Sequence, residues 1–206
     1  MSKYVRHLSA AVTAVTALAL IAGCSQTTSG SPSGVGSPTT ASASASGGSQ
    51  VPQALDPTAY LTKPCDLVSR NVLTQLGYTE PGTPNLTSQT AVTGGPSCDW
   101  FITGSSKNFG VGVQRTSGGQ DNGGISKIES LNGSLFAFVE PTAVDGYPAA
   151  YADVSDRRAN GACTLWVGIT DTLTFSVGTD RYNGAQDSCD AAKQIAAAVI
   201  TTLQGG

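Results

Sequence analysis

Five cysteines carry most of the reactive chemistry in this 206-residue chain, and their surroundings divide them into one and four. Cys24 follows Ile21-Ala22-Gly23 at the end of an apolar and small-residue run from Leu8, behind Lys3, Arg6 and His7. Basic residues, then an apolar stretch, then small residues before a cysteine make a secretory signal. The thiol of such a cysteine accepts a diacylglycerol before the chain is cut ahead of it. The expectation is a signal peptide over residues 1–23 and a mature N-terminus at Cys24 carrying acyl chains, palmitate among them. The run is too short to span a bilayer, so the tether is lipid. Each buried methylene contributes about 0.8 kcal/mol, and two or three chains hold where one would be marginal. The membrane is therefore an expected partner through Cys24, and the expected location is the extracytoplasmic face of the cell membrane.

Cys65, Cys98, Cys163 and Cys189 form an even set, which in an oxidising compartment reads as two disulfides. Cys65 shares a helical stripe with Val68, Val72 and Leu76, and Cys189 precedes Ala192 on another. Cys98 alternates with Trp100 and Ile102, and Cys163 with Leu165, Val167 and Ile169. All four are expected to point inward. Four cysteines allow three connectivities, and Cys65 with Cys98 and Cys163 with Cys189 close the shortest loops that join a helix to a strand.

Much familiar chemistry is excluded. The one histidine, His7, lies in the segment to be removed, which rules out Ser-His-Asp and Cys-His catalysis and histidine metal ligands in the mature chain. No lysine has a serine three residues before it, and no phosphate-cradling Gly-x-x-x-x-Gly-Lys or calcium loop occurs, so no cofactor or metal is expected. Loss of Lys3 and Arg6 leaves 9 of the 11 basic residues against 14 acidic ones. Nucleic acid needs a basic stripe to displace counterions, and such a partner is excluded. Two carboxylate pairs remain, Asp153 with Asp156 and Asp187 with Asp190; a polar turn and helix capping also account for them. Phe101, Tyr147, Tyr151 and Trp166 are candidates for an exposed aromatic patch or for core beneath helices on both faces of a sheet. Gly110 and Gly112, inside a strand pattern, read as sites of close backbone approach.

The elements that must position these residues follow from periodicity. Residues 24–50 are mostly Ser, Thr, Gly, Ala and Pro, uncharged and with Val35 as the one sizeable apolar side chain after Cys24, a disordered stalk. Residues 51–206 are one domain, α+β, with a mainly antiparallel sheet flanked by N- and C-terminal helices and stapled by two disulfides. Asp56-Pro57 opens a short turn, and the Cys65–Leu76 stripe predicts a first helix stopped by Gly77. Alternation predicts strands at Cys98–Ile102, Phe109–Val113, Leu135–Val139, Ala149–Val154, Leu165–Ile169 and Leu173–Val177, with a short helix at Gly123–Leu131. Gly118–Gly124 reads as a flexible connection and Asp145-Gly146 as a turn. Ala192, Ile195, Ala196, Val199 and Leu203 predict a last helix behind Asp187 and Asp190.

The ordered set of Pro64-Cys65-Asp66-Leu67, Cys98-Asp99-Trp100, Asp145-Gly146-Tyr147-Pro148-Ala149, the Cys163 strand and Cys189 before an Ala-rich helix resembles actinobacterial lipoproteins of the DUF3558 family, behind a lipobox and stalk. The resemblance implies a small α+β domain on the outer face of the membrane and transfers no catalytic residue. Export, anchoring and stapling without reactive groups lead to the expectation of a non-catalytic binding or accessory module of the cell envelope. Its partner would be an envelope protein, lipid or glycan. A structural, surface-exposed envelope protein is the alternative, and a carboxylate-dependent hydrolase comes third.

Overall fold

The computed structural model describes residues 50–115 and 122–205. The expected signal peptide, Cys24 and the expected stalk up to residue 49 lie outside the described residues, as does most of the Gly118–Gly124 connection.

After two 3-10 turns, Thr58–Tyr60 and Pro64–Leu67, the chain runs α1 (Arg70–Gln75), β1 (Thr83–Asn85), α2 (Gln89–Thr93), β2 (Ser97–Phe101) and β3 (Asn108–Val113). It continues as α3 (Gly124–Ser130), β4 (Phe138–Val144), β5 (Tyr147–Asp153), β6 (Cys163–Gly168), β7 (Thr174–Asp180) and α4 (Gly184–Leu203). The seven strands make one antiparallel sheet in the order β1-β2-β3-β7-β6-β5-β4. From β3 the chain crosses one face through α3 to the far edge, returns by three hairpin-connected strands to pair β7 with β3, and then lays α4 on the opposite face. Asp145 and Gly146, both at positive φ, make the two-residue turn between β4 and β5.

The α4 face holds the main core. Trp100, Phe109, Val111, Leu165, Val167, Phe175 and Val177 meet Ile195, Ala196, Val199 and Ile200 of α4. Trp100 stacks on Phe109 at 4.7 Å, and Tyr78 meets Phe109 edge-on at 4.7 Å while its hydroxyl lies 2.8 Å from that of Tyr182. A smaller cluster on the other face joins Ile125, Ile128 and Phe136 to Ala150 and Ala152. The disulfides are Cys65–Cys98, fixing the Pro64–Leu67 turn to β2, and Cys163–Cys189, fixing α4 to β6.

The structure corrects several expectations. The first helix is broken: Val68 is extended (φ −117°, ψ 116°) and Ser69 restarts the helix by accepting the Val72 N–H with its hydroxyl. Its end follows the expectation, since Gly77 at φ 84° lets its N–H reach the Thr74 carbonyl and that of Tyr78 reach Leu73. Strand Leu135–Val139 is displaced to Phe138–Val144, with Leu135 exposed in a turn. Pro141 sits inside β4, where an edge strand tolerates a missing donor. Cys98 and Cys163 are buried, but Cys65 and Cys189 are half-buried: Pro64 and Leu67 are the buried residues of the turn that carries Cys65, and Ser188 takes the inward position beside Cys189 in α4.

Candidate functional site

Along β2, β3, β7 and β6 the residues opposite the core are small or polar apart from Trp166 and Phe101, and the register sets those in the middle of the strands side by side in two rows. Ser97, Gly112, Ser176 and Trp166 form one; Asp99, Gly110, Gly178 and Thr164 form the other. α3 covers only the far end of this face, through Trp166, Ala150 and Ala152. Between Trp166 on one side and Thr90, Gly94 and Gly95 at the end of α2 on the other lies a cavity of about 290 Å³ floored by Ser97, Gly112 and Ser176. Beyond it the floor continues over Gly110 and Gly178. A Cβ at Gly178 would meet nothing within 4 Å, whereas one at Gly110 would strike the Asp99 carboxylate, which lies across it.

The trough presents unspent polar groups. Ser97, Ser176 and Asp99 make no side-chain hydrogen bond or ion pair among the described residues, and partial burial pushes the Asp99 carboxyl above its usual range. Trp166 is fixed, its indole N–H donating to the Ala152 carbonyl at 3.2 Å and its ring 6.0 Å from that of Phe136. Among the described residues no basic side chain lines the cavity. An acceptor carboxylate, two hydroxyls and one flat apolar side chain along a glycine floor can hold a ligand rich in hydroxyl or N–H donors.

A family model, described as a protein of unknown function (DUF3558), matches residues 19–202. The chain belongs to the DUF3558 family. Neither the curated proteins nor the solved structures yield a match.

Within this DUF3558 domain the expected candidate residues separate. Tyr147 is buried and Tyr151 half-buried on the α4 side, Trp166 lines the trough, and Phe101, 56% exposed, lies on the trough face at the end of β2. They form no single patch, because β5 contributes its tyrosines to the face opposite Trp166. Each carboxylate of the two pairs has its own partner. Asp153 accepts from Thr164 at 2.9 Å, and Asp190 from Gln186 at 2.6 Å. Asp187 accepts the Asn183 N–H at 2.9 Å and lies 3.3 Å from Lys107. Asp156 is gripped by Arg158, which also forks onto Glu140 at 2.6 and 3.0 Å and stacks over Phe138 at 4.0 Å. The Arg158 hydrogen bonds hold the Asp156 carboxyl at about 2.

Sequence reading missed the trough. Gly110 and Gly112 read as places for close backbone approach; the space above them is open except for the side chains of Asp99, Ser97 and Ser176 and the Cys98 carbonyl at 3.6 Å from a Cβ built at Gly110. The available signal was that the outward positions at the middle of three paired strands, Ser97/Asp99, Gly110/Gly112 and Ser176/Gly178, are small or polar, with Phe101 the large apolar side chain on the same face at the end of β2.

Proposed function

We propose that the chain is a membrane-anchored, extracytoplasmic and non-catalytic binding or accessory module of the cell envelope, tethered by lipid on Cys24. The trough of the sheet, uncovered among the described residues, is its contact surface. The single observation that carries this reading is an unpaired, partly desolvated Asp99 on an open glycine floor beside unpaired Ser97 and Ser176. Burial of a charge without a partner costs stability, and a binding surface recovers that cost when a ligand donates to it.

The test is capture of the full chain from native membranes in mild detergent, after labelling with an alkyne fatty acid, with Gly178→Leu and Cys24→Ala as comparisons. Gly178 has open space above it, so a leucine there fills the trough without disturbing the fold. Wild type is expected to carry label and to retain an envelope protein, lipid or glycan. Gly178→Leu should keep the label and lose the partner, and Cys24→Ala should lose the label. Recovery of no partner with wild type, or equal recovery with Gly178→Leu, would refute the trough as the contact surface.

A further inference from the structure

At the end of the sheet where β3 finishes and β7 begins, the N-terminal segment folds over a second cavity, of about 330 Å³. Its walls are largely apolar. Leu55 is anchored there by its N–H to the Ile169 carbonyl at 2.8 Å, and Leu61 and Leu173 lie against the same opening. This volume sits at the small end of the range for ligand sites.

Two charged groups line the same cavity, and one of them is without a partner. Arg115 lines the cavity with its Nε buried and without a hydrogen-bond partner. Among the described residues it is the arginine whose side chain makes no hydrogen bond and no ion pair. Arg70 donates to the Thr79 carbonyl, and Arg157, Arg158 and Arg181 each pair with a carboxylate. Asp56 also lines the cavity, but its carboxylate accepts the Thr58 N–H and hydroxyl instead. A guanidinium left with a buried, unsatisfied donor is costly, and an oxyanion is the group whose geometry its planar fork matches.

We propose that this cavity binds a monocarboxylate amphiphile, its carboxylate on the Arg115 guanidinium and its alkyl chain against Leu55, Leu61 and Leu173. A carboxylate fits better than a phosphate for a reason of charge. The lining offers one cation, Arg115, which meets a single negative charge, and with Asp56 beside it the second charge of a dianionic head group would have no cation to meet it. The trough cavity adjoins this one through Gln114, which lines both, but contains neither Arg115 nor these leucines, so substitutions at Arg115 and Leu61 test this site without altering the trough lining.

The experiment titrates octanoate, octyl phosphate and octanol into the full chain held in lipid nanodiscs, with empty discs as the baseline, and follows the carboxylate carbon of labelled octanoate by NMR. Octanoate is expected to bind more tightly than either of the other two. Arg115→Gln should weaken it at least tenfold, the loss of a charge-assisted hydrogen bond. Arg115→Lys should fall between, keeping charge without the fork. Leu61→Trp, at a half-buried position, should block binding by filling the opening, which keeps the test decisive if Arg115→Gln unfolds. Octanol binding as tightly as octanoate, octyl phosphate binding more tightly, or undiminished binding by a folded Arg115→Gln would each overturn the assignment.

Discussion

Asp99 is a residue placed at odds with local stability. Its neighbours on β2 alternate as expected, with Cys98 and Trp100 buried and Asp99 on the opposite face. That much was legible in the sequence, because a strand alternates faces every residue. What could not be read was that no donor reaches it, since partners come from β1, β3 and the chain above, whose register the sequence does not state. Burial raises its pKa in the folded protein above that of the unfolded chain. Between those two values the folded state binds more protons, so stability falls as pH rises through this window, opposite in sign to a salt-bridged carboxylate. Asp99→Asn is therefore expected to raise the melting temperature at neutral pH, and the gain should shrink as pH is lowered through the raised pKa. Thermal melts of the two proteins across acidic to neutral pH check this; a variant less stable than wild type at neutral pH would show that Asp99 is paired in solution.

At the scale of elements, α4 is the clearest case of sequence dictating structure. Its buried face, Ala191, Ala192, Ile195, Ala196, Val199 and Ile200, follows the helical repeat, and 20 residues give it length enough to cross the sheet. The β2–β3 and β6–β7 hairpins were legible from alternation and turn residues, whereas in the β4–β5 hairpin the Asp145-Gly146 turn was legible and the strand before it was placed too early. β1 and α2 were not. β1 is three residues with Pro84 at its centre, tolerated only because it is an edge, and α2 is a five-residue helix with little periodicity to detect. Its start is marked only by Ser88, whose hydroxyl accepts the Ala91 N–H. The tie that holds α4 to β6 is Cys163–Cys189, with a sequence separation of 26. Opening a loop of that size returns about 3.5 kcal/mol of entropy to the unfolded chain. Replacing both cysteines by alanine should lower the unfolding free energy by roughly that amount, read from urea denaturation. A loss well under 1 kcal/mol would mean that packing of α4 alone fixes the helix and that the bond is incidental to stability.

For the described domain as a whole, the two faces of the sheet are unequally held. The α4 side joins Leu55, the Pro64–Leu67 turn, α1 and α4 to every central strand, whereas on the other face α3 brings Ile125 and Ile128 against β5 beside Phe136. Burial of those three side chains contributes about 1.5–3 kcal/mol each. Ordering the backbone of the 7 residues of α3 costs about 1–2 kcal/mol per residue before its hydrogen bonds are counted. The ordering cost equals or exceeds the burial, which leaves α3 little margin, so it should open locally while the main core stays closed. Native-state hydrogen exchange is expected to show the α3 amides exchanging through such openings at low free energy. The amides of β3, β7 and the middle of α4 should exchange only through global unfolding. Because Trp166 is pinned between the α3 cluster and the trough, local opening of α3 also frees the trough wall, and a ligand that uses the Trp166 face must slow exchange in α3 without touching it. Equal protection of α3 and β3 in the free protein would remove the basis for that coupling.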